Sequence, residues 1–128
     1  MTLPRFFLLG FGFLSLVFGL AYLLAPAALT EPAGFGELSA TAMTDVRATY
    51  GGFQIGMGAF LVWAARAEER HKGALVLVAL SIGAVFFSRL AGLALDGELN
   101  EFHASGLVTE SILTALTLFV LYRTQRAA

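Results

Sequence analysis

The chain has 128 residues, is 58% hydrophobic and only 13% charged, carries a net charge of −1 and contains no cysteine; its mean hydropathy is +0.79. That much apolar surface excludes a disordered chain, and the charged share is about half of the roughly 25% usual in a soluble domain. Without cysteine there are no disulfides, thiolate metal sites or cysteine nucleophiles, and without a basic excess there is nothing to hold a nucleic acid, which leaves one small integral membrane domain.

A helix needs about 20 consecutive, mostly apolar residues to cross the hydrocarbon core. The first predicted span covers about 6–25 and stops at Pro26. Arg5, the apolar run and Ala25-Pro26-Ala27 together look like a secretory signal with a small-residue cleavage site. The run is longer than the 7–15 residues of a signal core, so a true span is expected. A connection follows over about 26–44, where Pro26, Pro32, Gly34 and Gly36 argue against one continuous helix. It reads as a plain connector in preference to a lid, with Phe35 and Leu38 available for a short interfacial turn. The second span is predicted over about 46–65, the third over about 73–95 and the fourth over about 104–122. Short links between four such spans predict an all-α fold, a four-helix antiparallel transmembrane bundle forming a single domain. Strands with strict alternation, the mark of a membrane barrel, are absent from the sequence.

Lys and Arg orient the spans. Arg5 precedes the first; Arg66, Arg70 and Lys72 separate the second from the third; Arg123 and Arg126 follow the fourth. The two opposite loops carry Glu31, Glu37 and Asp45, and Asp96, Glu98 and Glu101, with no Lys or Arg. The expectation is a multi-pass protein of a bacterial inner membrane with both termini cytoplasmic. Trp63 and Tyr122 near the basic ends and Tyr22 near an acidic end suit an interfacial aromatic belt. His71, in the basic loop, reads as solvated.

Three ionisable residues remain inside the spans: Arg47, Arg89 and Glu110. Each costs about 2.5–3.5 kcal/mol on insertion scales, so each is expected to face the bundle interior. At 1.5 Å per residue, Arg89 and Glu110 both lie roughly 9 Å below the acidic side. Arg47 lies near that side. At 100° per residue, Arg47, Tyr50, Gln54 and Gly58 share a face, with Gly51 beside them. His103, Gly106, Glu110, Thr114 and Thr117 form a second polar stripe, and Arg89, Gly92 and Asp96 a third. Gly12, Ser15, Gly19 and Tyr22 offer a fourth. Pointed inward, these stripes make a polar pocket open to the outside and sealed below by apolar side chains.

Two readings of the pocket stand open. Arg89 and Glu110 at matched depth form a register-fixing salt bridge, with Asp96 within snorkelling reach of Arg89 and Asp45 beside Arg47. Alternatively, Arg47, Tyr50, Gln54, Arg89 and Glu110 bind a ligand, supported by Gly51, Ser88, Asp96, His103 and Thr114. Two arginines against one glutamate leave a positive charge, so the ligand would be an anionic membrane lipid or amphiphile. Glu110 and His103 could instead serve as acid and base in a lipid-modifying enzyme. No G-x-S-x-G, H-E-x-x-H or phosphate-binding loop occurs, so an enzyme is not the preferred reading. A proton-coupled transporter with so few spans is weaker still. The acidic stretch 96–103 has no EF-hand spacing. No metal or cofactor is expected. Gly52 and Gly56 form a small-xxx-small pair that permits close helix contact. Packing within the chain is the preferred use of that pair, as for Gly10, Gly83 and Gly92. Its docking to a homodimer partner, or to a larger membrane complex as an accessory subunit, is the alternative.

The segment Asp45-Val46-Arg47-Ala48-Thr49-Tyr50-Gly51-Gly52-Phe53-Gln54-Ile55-Gly56-Met57-Gly58, with Ser88-Arg89-Leu90-Ala91-Gly92, Asp96-Gly97 and Glu110, resembles the signature of a bacterial family of four-span membrane proteins, domain of unknown function 4345. The resemblance covers nearly the whole chain. It implies the four-helix membrane fold and marks Arg47, Tyr50, Gly51, Gly52, Arg89, Asp96, Gly97 and Glu110 as signature positions, and it implies no activity.

Overall fold

The computed structural model describes residues 2–126, and every regular element among them is helical. Helix α1 runs Leu3–Leu24, with Pro4 in its first turn, where a missing N–H costs nothing. It ends at Ala25, which leaves the helical region (φ −136°, ψ 57°) because a residue before proline is pushed out of it. The connection holds a short helix α2 (Pro26–Thr30). Gly34 (φ +80°) and Gly36 (φ +66°) then turn the chain through left-handed conformations. Phe35 stays exposed. Ser39 caps the next helix, α3 (Ala40–Val46), by accepting from the Ala42 N–H at 3.2 Å.

Between α3 and α4 (Phe53–Ala64) the chain stays helical, but Arg47–Gly52 is a π-helical segment. The predicted second span is therefore a helical run in three pieces, of which α4 alone has 12 residues. Helix α5 (Glu68–Asp96) follows after a tight turn and has 29 residues. Gly97 closes it at φ 72°, donating its N–H to the Leu93 carbonyl at 2.9 Å. Asn100 caps α6 (Glu101–Arg126) by accepting from the His103 N–H at 3.0 Å. Helices α1, α5 and α6 are long and apolar enough to cross a membrane. They overrun the predicted spans because charged residues such as Glu68–Lys72 continue the helix beyond its apolar stretch.

The helices pack as two antiparallel pairs, α1 with α4 and α5 with α6, and the pairs meet through lighter contacts. Backbone contact closes the first pair. A Cβ at Gly58 would lie 2.6 Å from the Gly12 carbonyl oxygen, and one at Gly19 would lie 2.8 Å from that of Gly51. The expected use of Gly52 and Gly56 is corrected here. Nothing lies within 4 Å of a Cβ at Gly56, and only the Arg47 carbonyl reaches 4.0 Å at Gly52. Gly10 and Gly83 also face open space, and Gly92 meets only Asp96 at 4.0 Å. The face that packs on α1 is the one that Gly51 and Gly58 share with Arg47. Gly52 and Gly56 lie away from it. The apolar core gathers Leu8, Leu61, Leu75, Val78 and Val120 toward the basic end.

Candidate functional site

Near the other end, α5 and α6 are joined through one arginine. Arg89 Nε donates to both carboxylate oxygens of Glu110 at 3.0 Å, and Nη2 donates to Oε1 at 2.6 Å. Nη1 lies 3.2 Å from His103 Nδ1. Arginine can only donate, so Nδ1 accepts, and the neutral imidazole carries its proton on Nε2. The side chains of Arg89 and Glu110 are 20% and 11% exposed. In so dry a place either charge left without its partner would be costly, because little water is there to replace it.

Gly106 makes room for this geometry. A Cβ there would stand 2.8 Å from both Nε and Cζ of Arg89, so the guanidinium lies flat across α6 where a side chain is missing. Phe102 lies beside it, with its ring centroid 5.8 Å from Cζ, within the range of a cation–π contact. A guanidinium has five N–H donors. Nε–H, one on Nη1 and one on Nη2 are used, and the other two have no protein partner among the described residues.

Arg89 forms part of the wall of an open cavity of about 620 Å³. Tyr50, Ser88, Asp96, Glu98 and His103 supply its other polar groups, and Ala84, Val85 and Leu93 its apolar side. Tyr50 comes from the π-helical segment and stacks on Tyr22, with centroids 5.3 Å apart and planes 24° apart. The wider turn of a π-segment shifts the side chains around it, a device common at functional sites.

The structure thus brings Tyr50, Ser88, Arg89, Asp96 and His103 together around one space, with Glu110 buried behind Arg89. Arg47 is elsewhere. Its Nε donates to the Leu23 carbonyl at 3.1 Å, which occupies one of the carbonyls left open at the end of α1. No ion pair joins Arg47 to Asp45, or Arg89 to Asp96, among the described residues. Gln54 is half-buried and does not line the cavity, and Gly51 is spent on contact with α1. Thr114 is one turn from Glu110, and its hydroxyl is buried with no partner. Sequence reasoning missed Phe102 as a neighbour of Arg89. Its only signal is the spacing of four residues from Gly106.

Residues 3–121 match the family model described as Domain of unknown function (DUF4345). The chain belongs to that family. No curated protein and no solved structure matches it. In this DUF4345 chain the acid–base pair expected from the sequence, Glu110 and His103, is already engaged. Glu110 already accepts three charge-assisted contacts from Arg89, and His103 has spent its basic nitrogen on the same arginine. Ser88 lines the cavity with no hydrogen bond to either. The groups left without a partner among the described residues are two N–H groups of Arg89, the hydroxyls of Tyr50 and Ser88 and the carboxylates of Asp96 and Glu98.

Proposed function

We propose that the chain is a small integral membrane protein that holds the anionic head group of a lipid or other amphiphile against Arg89. In this reading the helical run Ala40–Ala64 makes a second crossing between α1 and α5, which completes a four-helix antiparallel bundle. The basic end and both termini lie in the cytoplasm of a bacterium, and the cavity opens to the outside of its inner membrane. The observation that carries the reading is the pair of unpartnered N–H groups on Arg89 at the wall of a cavity of about 620 Å³. Two fixed donors on one planar group suit a carboxylate or phosphate. Ala84, Val85 and Leu93 offer the tail an apolar wall. Asp96 and Glu98 at the same cavity oppose a doubly charged head group, so one negative charge, or a zwitterion whose amine meets the two carboxylates, fits best. Arg47 serves this reading as the cap on α1, which holds the Tyr22–Tyr50 stack in place.

Laurate and methyl laurate, titrated against the chain in dodecyl maltoside, test the reading. Laurate should bind about tenfold more tightly, and Arg89→Lys, which keeps the charge but loses the planar fork, should remove most of that difference. Equal binding of acid and ester would overturn it.

The glycine pair Gly52 and Gly56 favours a second reading, because it lies exposed on the outer face of its helix. Small residues spaced by four admit a partner helix at close range, either a second copy or a subunit of a larger membrane complex. Gly56→Leu would then abolish cross-linked dimers or co-purifying partner, and an unchanged profile rejects this reading.

A further inference from the structure

Two adjoining cavities lie at the opposite end of the helices from Arg89 and share Thr2, Glu68 and His71. The larger, about 590 Å³, sits among the first turns of α1 and α5 and the last turn of α6, where Arg123 enters. The smaller, about 330 Å³, adds Arg5 and Arg66. We propose that together they form a second binding site, separate from the one at Arg89, for a phosphate-bearing head group at the basic face of the membrane.

Charge is the first argument. Arg5, Arg66 and Arg123 line these spaces against a single carboxylate, that of Glu68. None of the three is in an ion pair among the described residues. Their neighbours are engaged elsewhere: Arg70 lies 3.9 Å over the Trp63 ring and Arg126 lies 4.5 Å over the Tyr122 ring. The arginines that face the cavities are the ones left without a partner among the described residues.

His71 is the second argument. The sequence reads it as solvated, yet it is 4% exposed. Its Nε2 donates to the Ala65 carbonyl at 3.3 Å, since a carbonyl only accepts. Nδ1 has no partner among the described residues, although His71 lines both cavities. It can accept the proton of a protonated phosphate or, once charged, donate to a phosphate oxygen. A buried imidazole with one nitrogen fixed and one free is a built feature of this end and not a solvated loop side chain.

The surroundings indicate the source of the phosphate. Leu3 lines the larger cavity and is exposed, and Phe6, one turn further along α1, and Phe119, one turn before Arg123 on α6, are exposed too. Apolar side chains outside a basic recess between spanning helices provide for acyl chains below and a head group above, and such recesses bind anionic head groups.

The test titrates dioctanoyl phosphatidylglycerol, dioctanoyl phosphatidylcholine and inorganic phosphate into the full chain in dodecyl maltoside. It is run on the wild type and on Arg89→Met/Glu110→Met, which lacks the first site. Phosphatidylglycerol should bind at least tenfold more tightly than phosphatidylcholine in both. Arg66→Gln/Arg123→Gln should weaken it about tenfold or more, given roughly 1 kcal/mol for each basic residue at a membrane surface. Arg66→Lys/Arg123→Lys, which keeps the charge and the topology signal, should stay within a few-fold of wild type. Inorganic phosphate competing at the same affinity supports the site and assigns it to free phosphate. Equal binding of the two lipids, or undiminished binding by the Gln pair, overturns the proposal.

Discussion

The two helix pairs are joined by opposite means. Between α1 and the run of the π-helical segment and α4 the backbones touch through Gly12, Gly19, Gly51 and Gly58, with Arg47 reaching the Leu23 carbonyl at the end of the contact. Between α5 and α6 a charged side chain crosses from Arg89 to Glu110 and lies in the space left by Gly106. The glycine seam leaves no donor to spare, since the open carbonyl at its end, that of Leu23, is taken by Arg47. The arginine seam is incomplete, because a guanidinium with five donors is only partly matched by one carboxylate and one imidazole. A seam with donors to spare can take a ligand without breaking, and for that reason binding is proposed at α5 and α6.

Removing one side of the charged seam should cost most. Arg89→Ala leaves the Glu110 carboxylate buried and alone, and the expected loss is about 3 kcal/mol, read as a lower melting temperature in detergent. A loss under about 0.5 kcal/mol would mean that water already reaches Glu110. The glycine seam should come next. Gly58→Ala puts a Cβ against backbone atoms of α1 that cannot yield, with an expected cost of about 2 kcal/mol. Gly56→Ala, facing open space, should raise stability by about 0.5–1 kcal/mol, the ordinary gain of alanine over glycine within a helix. If the two variants melted alike, the assignment of the packed face would be wrong. A smaller loss than at Gly58 is expected at Gly106→Ala. There the clash is with the end of a flexible side chain, so Arg89 swings aside, stability falls by about 1 kcal/mol, and laurate affinity falls about tenfold. Unchanged laurate binding in this variant would show that the flat pose of Arg89 does not matter.

Much of this was legible in the sequence, for reasons that can be traced. The matched depth of Arg89 and Glu110 follows from a rise of 1.5 Å per residue, and the structure bonds them directly. The inward stripe of Gly12, Ser15 and Gly19 follows from helical period, and all three are buried. Arg47 shows where such reasoning stops. Its depth and face were readable, but an arginine can also reach a backbone carbonyl, and the open one at Leu23 exists only because α1 ends before Pro26. The π-helical segment leaves no mark on hydropathy, so a continuous span was expected where the helix is in three pieces. The sequence holds several glycine pairs at helical spacing, and nothing in it says which face meets a partner. His71 sits among charged residues, and its burial comes from the tight turn at Ala65–Ala67, which brings the first turn of α5 against the end of α4.

The most direct measurement separates the charged pair as a joint from the charged pair as a site. Arg89→Met/Glu110→Met replaces both charges with flexible apolar side chains, an exchange that is often neutral or stabilising where a buried pair serves structure alone. Melting temperature and laurate affinity are measured on the same detergent-purified sample. The predicted result is a chain that melts within a few degrees of wild type and binds laurate no better than methyl laurate. A chain equally stable that still prefers laurate would contradict the account and reduce Arg89 and Glu110 to a joint between two helices.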